Sequence, residues 1–216
     1  MCVGSRFDAP VRKSSATDGS ALNVRDDFDQ ISFAGNNGAI PWAAPWSELG
    51  EVDGPGNGNV AVTSFWGGAL QGLRLQGAQM GAARAVQLGA ARDAHMGLAF
   101  RRKGFTATDY VVVELSTDGG ATWHELTRFT GPTTDAEIQY TDHALSAYLA
   151  DRVMVRLLTA PNMSADAAFY LDAIDIRPDY AADDLANGSQ VYLPFVAGVG
   201  GTTGGIHVRI RGPKPM

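Results

Sequence analysis

The chain has 216 residues and a formal net charge of −6, with 45% hydrophobic residues, 26 glycines and 10 prolines. That length and apolar content suit one domain with a real core, or at most two small ones. The acidic balance speaks against a nucleic-acid backbone as partner, because phosphate binding runs on clustered Lys and Arg, and the one dense basic run, Arg101-Arg102-Lys103, reads as a solvated strand end.

Residues 1–22 are polar, rich in Ser, Ala and Thr, and read as an N-terminal tail. The start, MCVGSRFDAPVRKSSATDGS, lacks the apolar core of a secretory leader. A cytoplasmic chain, or one that begins after its leader, fits that start. The single cysteine, Cys2, can make neither an internal disulfide nor a structural zinc site. No stretch approaches the ~20 apolar residues of a membrane-spanning helix.

Residues 23–178 carry regularly spaced strand signals, at roughly 24–29, 39–48, 59–64, 69–76, 81–88, 94–103, 109–117, 122–130, 136–142, 152–159 and 168–177. The clearest pair lies in Tyr110 to Phe129, where two apolar runs flank Asp118-Gly119-Gly120. Glycine reaches positive φ without steric cost, so a hairpin is expected there. Val111, Val113 and Leu115 share one face of its first strand, and Glu114 and Glu125 face out. Ala144 to Leu149 reads as one short helical turn. Many short strands separated by turns predict an all-β, antiparallel jelly-roll β-sandwich.

Residues 179–216 begin with the acidic linker YAADDLANGS and continue as a strand pair, VYLPFVAGV and IHVRIR. Ile206, Val208 and Ile210 alternate with His207, Arg209 and Arg211, while Pro194 confines the first segment to an edge. A β-hairpin-like tail packed on its own domain is expected. Strand addition into a neighbouring molecule, and so self-association through these C-terminal strands, is the alternative.

The ordered segments DDFDQ, IPWAAPWSELGE, a Gly/Asn-rich loop, LQGLRLQG, ARAVQL, AFRRKG, VVVELSTDGGATWHEL and AAFYLDAIDI, spanning about residues 24–177, resemble a recurring bacterial surface domain. It is similar to MAM-like and carbohydrate-binding-module-like jelly rolls of the galactose-binding type. VYLPFVA resembles a short stretch found beside such domains in secreted bacterial proteins. The resemblance implies an extracellular or cell-surface setting, a glycan or cell-surface polymer as partner, and no catalysis by the domain itself.

Within the hairpin, Ser116 to Trp123 fits the S-x-D-x-G-x-T-W pattern and resembles the turns of sialidase propeller blades. A propeller would repeat the motif. One copy reads as a well-made turn, its Asp accepting backbone N–H bonds and Trp123 packing into the core.

Both terminal strands of the sandwich are acidic, with Asp26, Asp27 and Asp29 in the first and Asp172 and Asp175 in the last. On a period of two, Asp172 shares a face with Tyr170, Ile174 and Ile176, and a carboxylate among apolar neighbours needs a partner. First and last strands of a jelly roll lie close, so Asp27 or Asp29 is placed to meet Asp172 across one structural calcium ion. The resemblance implies calcium in a similar place. The alternative has Asp172 capping a turn and the N-terminal acids solvated. Glu51 to Asn59, EVDGPGNGN, is loosely like a calcium loop but lacks the EF-hand frame, and reads as a flexible connection.

Sugar recognition needs a flat aromatic face edged by polar groups. Among Trp42, Trp46, Trp66 and Trp123, Trp66 sits in SFWGGAL beside two glycines and is the first candidate for stacking; Trp42 is the second, while Trp46 reads as packing. Catalytic signals are sparse. His95, His124, His143 and His207 are isolated, Arg128 stands where an H-E-x-x-H motif needs its second histidine, and neither a nucleophile elbow nor a phosphate loop is present. The expectation is a non-catalytic binding or adhesion module. A structural or assembly domain is the alternative, and a glycan hydrolase with facing carboxylates comes third.

Overall fold

The computed structural model of the chain describes residues 22–180. The N-terminal tail and the expected C-terminal strand pair lie outside them. In chain order the strands are β1 (Val24–Asp26), β2 (Ser47–Leu49), β3 (Val60–Phe65), β4 (Leu70–Gln76), β5 (Gly81–Val86), β6 (Asp93–Lys103), β7 (Tyr110–Ser116), β8 (His124–Thr130), β9 (Gln139–Ala144), β10 (Val153–Thr159) and β11 (Ala168–Asp179). One sheet, here the front sheet, runs β3-β4-β11-β6-β9 with β1 also paired to β11, and the back sheet runs β2-β5-β10-β7-β8. All of these pairings are antiparallel, and the two sheets enclose one core as a jelly-roll sandwich.

Alternation explains why the layers close. In β10, Val153, Val155, Leu157 and Thr159 are buried while Met154, Arg156 and Leu158 are less so, the period-two signature of a strand with one face inward. Its neighbours match that phase: Val155 pairs with Leu115, and Leu157 with both Val113 and Ala82. Phe100, Phe129 and Phe169 form an aromatic centre between the sheets, with centroids 4.1 to 5.5 Å apart. Each such side chain stabilises the fold by about 1.5–3 kcal/mol on burial.

Two expected strands are cut short, for local reasons. Proline has no N–H for a ladder. Pro41 and Pro45 therefore leave Ile40 to Trp46 irregular, tied down by single bonds such as Ala43 N to Ala85 O at 3.0 Å, and only Ser47–Leu49 pairs. The first strand stops at Asp26, whose carboxylate accepts the Phe28 N–H at 3.0 Å and turns the chain. The short helical turn falls at Ser146–Tyr148.

The loop read as flexible is anchored instead. Glu51 accepts the Asn59 N–H at 2.6 Å and the Asn59 Nδ2 at 3.1 Å, and Glu48 accepts the Gly54 N–H at 3.1 Å.

The feature that shapes the front face is an irregularity in β11. Its register with β6 slips between Leu171 and Ala173. Asp172 is the extra residue of a bulge, and a bulge reverses which side chains point inward. Phe169 and Leu171 point into the core before it, and Ile174 and Ile176 point into the core after it. Strict alternation placed Tyr170 on the face of Ile174 and Ile176. The bulge puts it on the opposite, outer face.

Candidate functional site

Tyr170, turned outward, is the floor of a cleft on the front sheet. In register, it lies between Arg74 of β4 and Arg101 of β6. Phe65, the last residue of β3, stacks on it with ring centroids 4.8 Å apart and planes 11° apart. Gly72 permits this: a Cβ there would lie 2.9 Å from a Phe65 ring carbon and 2.6 Å from the Leu171 carbonyl oxygen. Leu70 and Ile138 pack around the pair.

The rim is a tight turn at Trp66–Gly68. Gly67 and Gly68 have φ of 69° and 86°, and Trp66 itself has φ of 53°, a region that disfavours a bulky side chain. Nothing lies within 4 Å of where a Cβ would sit on either glycine, so the turn stands in open space. Trp66 is 40% exposed, with the Arg101 guanidinium 5.2 Å from its ring centroid. Arg101 is held by its Nε–H, which donates to the Asp135 carbonyl oxygen at 2.9 Å. The resulting cleft holds about 400 Å³ and is lined by Ser64, Trp66, Gly67, Arg101 and Lys103 above Phe65 and Tyr170.

The same outer face extends to β9, where Tyr140, opposite Ala99, is 76% exposed. Towards β1 the face is closed by ion pairs. Arg177 bonds Asp142, His95 Nδ1 lies 3.2 Å from Asp142, and Arg25 lies 2.7 Å from Asp27 and 3.9 Å from Asp175.

No family model matches the chain, and no curated protein matches it. Solved structures that resemble it include a family 61 carbohydrate-binding module in complex with β-1,4-galactotriose, at 13% identity and a TM-score of 0.44, covering 63% of this chain and 90% of that one. A family 15 xylan-binding module matches at 10% identity and a TM-score of 0.46, over 75% of this chain and all (100%) of that one. The family 22 xylan-binding domain of a Paenibacillus barcinonensis xylanase matches at 16% identity and a TM-score of 0.42, over 76% and 100%. Galactotriose and xylan are the ligands of those modules.

Of the two stacking candidates, Trp66 faces solvent and Trp42 does not. Trp42 is 8% exposed and packs 5.6 Å from Trp46, with the Arg84 guanidinium 4.6 Å from its ring centroid. It is one wall around a buried ion pair between Asp26 and Arg84, which meet at 2.6 Å in the interior. Trp123 departs from the expected core placement as well. It is half-buried on the back sheet's outer side, beneath the Arg156 guanidinium at 4.0 Å, and Arg156 in turn bonds Glu114 at 2.6 Å. The turn before it behaves as expected: Asp118 accepts the Thr122 N–H at 2.9 Å and the Ser116 and Thr122 hydroxyls at 2.7 and 2.6 Å.

The expected calcium ligands are distributed differently. Asp27 Oδ1 takes the Arg25 Nε–H at 2.7 Å, Asp29 Oδ2 takes the Asn37 Nδ2–H at 3.0 Å, and Asp172 sits at the β11 bulge. The carboxylate oxygens that gather within 4.8 Å of one another, among the described residues, are those of Glu48, Glu51 and Asp53. Asp27, Asp29 and Asp172 form no such set, and N–H donors already occupy oxygens of the first two.

Sequence reasoning singled out Trp66, which is exposed at the cleft, and did not single out Tyr170, Phe65, Arg101, Lys103 and Tyr140 beside it. The signal for Tyr170 is the aspartate inside FYLDAIDI: a carboxylate in an apolar run marks where alternation breaks.

Proposed function

We propose that this domain is a non-catalytic carbohydrate-binding module that holds a polymeric glycan on the outer face of its front sheet. The observation that carries this reading is Trp66. A large aromatic ring stands at the mouth of a cleft, in a backbone conformation that works against it, beside two glycines and above a stacked aromatic floor. Strain of that kind persists where surrounding structure imposes it, and it concentrates at ligand-gripping positions. A sugar ring presents C–H groups to an aromatic face and hydroxyls at its edge. Trp66 supplies the face; Ser64, Arg101 and Lys103 supply polar edges.

Strands lie about 4.8 Å apart, so from β3 to β9 the face spans roughly 19 Å, room for several sugar units between Trp66 and Tyr140. The proposal includes an extracellular or cell-surface setting, where such polymers coat cells and substrates. Affinity electrophoresis and a glycan array on the full chain test it. Trp66→Ala is expected to abolish retention by the bound glycan and Tyr140→Ala to weaken it several-fold, with melting temperatures near wild type. Retention unchanged in Trp66→Ala would end the proposal.

A further inference from the structure

Within that cleft the charge is one-sided. Among the described residues, Arg101 and Lys103 are its only charged lining residues, and no carboxylate lines it. Neither makes a salt bridge among the described residues; elsewhere on the same face Arg25 and Arg177 are paired with Asp27, Asp142 and Asp175, while Arg74, across Tyr170 from Arg101, bonds the Gly58 carbonyl. Arg102, between them in sequence, points the other way and is taken by Asp135 at 2.9 Å. This local excess of two cations occurs on a chain whose net charge is −6. An acidic protein repels polyanions in general, so a cationic cleft is a selective device only where it adjoins the recognition surface.

The cation nearest the aromatic is also the better placed. The Arg101 guanidinium is held by the Asp135 carbonyl against the Trp66 ring, so its direction is set before a ligand arrives. A planar guanidinium with spare N–H groups matches an oxyanion in two-point fashion, and the flexible Lys103 adds a second positive charge. Asp135, already bonded to Arg102, offsets part of the Arg101 charge, and Lys103 makes no ion pair among the described residues, so a neutral polysaccharide would leave Lys103 unmatched beside the ring.

We infer that the ligand of this cleft is an anionic polysaccharide, its sugar ring on Trp66 and its carboxylate or sulfate between Arg101 and Lys103. This rests on the carbohydrate-binding reading and sharpens it. Single-stranded nucleic acid also combines rings with anions, but its binding grooves carry positive charge along a whole backbone track. Here two cations stand at one end of a face whose other end is acid-rich and already paired.

The test measures retention of the full chain by polygalacturonate, by the same polymer with its carboxyls reduced, by dextran sulfate and dextran, and by an oligo-dT strand. Expected results are at least tenfold tighter retention by one polyanion than by its uncharged partner, and weakening by salt. Lys103→Gln, an exposed change, should lower polyanion affinity about three- to tenfold. Preference for polygalacturonate identifies the anion as carboxylate, and preference for dextran sulfate as sulfate. Equal or tighter retention by the uncharged polymers, with Trp66→Ala still abolishing it, overturns the charge inference and leaves the carbohydrate reading standing. Tighter retention by oligo-dT than by any glycan overturns both, as does retention by none of the probes.

Discussion

Asp26 of β1 and Arg84 of β5 meet at 2.6 Å across the interior of the sandwich, one from each sheet, at 0% and 3% side-chain exposure. The pair is satisfied on most sides. Asp26 also accepts the Trp46 Nε1–H at 3.0 Å and the Phe28 N–H, and Arg84 donates its Nε–H to the Ala44 carbonyl at 2.7 Å. Burial pushes the Asp26 carboxyl up and pulls the Arg84 guanidinium down to about 10, each opposed by the other's charge. Breaking such a pair leaves a buried charge alone. Asp26→Asn and Arg84→Met are each expected to lower stability by about 3–5 kcal/mol, and the double variant by less than their sum. Urea denaturation of the four proteins measures it; additive losses would mean the two residues act independently.

Trp66 separates binding from stability. Its φ of 53° should be relieved by glycine. The change forfeits a cation–π contact worth about 0.5–1 kcal/mol and relieves strain of about 1–3 kcal/mol. Because more than half of its surface is also covered, Trp66→Gly is expected to melt within a few degrees of wild type while losing glycan retention. A marked fall in melting temperature would make Trp66 a packing residue.

Gly72 couples the fold to the cleft. The methyl of Gly72→Ala meets the Leu171 carbonyl and the Phe65 ring, so β11 must shift or Phe65 must leave Tyr170. Destabilisation of about 1–3 kcal/mol is expected, with weaker glycan retention. Chemical denaturation and affinity electrophoresis read the two effects separately.

Acid should weaken the sandwich through several carboxylates, Asp109, Asp118 and Asp135 among them. Hydrogen bonds from Thr122 and Ser116 hold Asp118 well below the usual range. At Asp109 and Asp135 burial pushes upward, but amide bonds from Thr106 and Ser164, and the Arg102 contacts, outweigh it, so both also sit low. A folded-state pKa below the unfolded one gives stability that is present above about pH 4 and lost as the pH falls towards the folded value. Asp26, pushed up by burial, works in the opposite sense. Burial also holds the His143 imidazole below its ordinary value, so melting temperature is expected to begin to fall as the pH drops below about 6.5 and to fall more sharply below about pH 4, the latter less steeply in Asp118→Asn. An acid limb of unchanged slope in that variant counts against the turn's share.

With Asp27 bonded to Arg25 and Asp29 to Asn37, chelators are expected to leave the melting temperature within about one degree of its value in calcium unless the gathered carboxylates of Glu48, Glu51 and Asp53 hold an ion. A rise of several degrees on adding calcium would restore a bound ion to the picture.

The sequence by itself determined the class of the molecule. Alternation in Val153 to Thr159 and in Tyr110 to Leu115, glycine at Gly119 and Gly120, and proline at Pro41 and Pro45 are local signals, and local rules read them. Trp66 was legible for the same reason, as an aromatic beside two glycines. Only the tertiary structure decided which faces the side chains took. The bulge at Asp172 turned Tyr170 outward, the pairing of distant strands set Arg101 beside it, and the Asp26–Arg84 contact enclosed Trp42. Those outcomes depend on register between segments far apart in the chain, where one extra residue reverses a face; Asp172 inside FYLDAIDI marks the break, but only pairing with β6 sets which way the face turns.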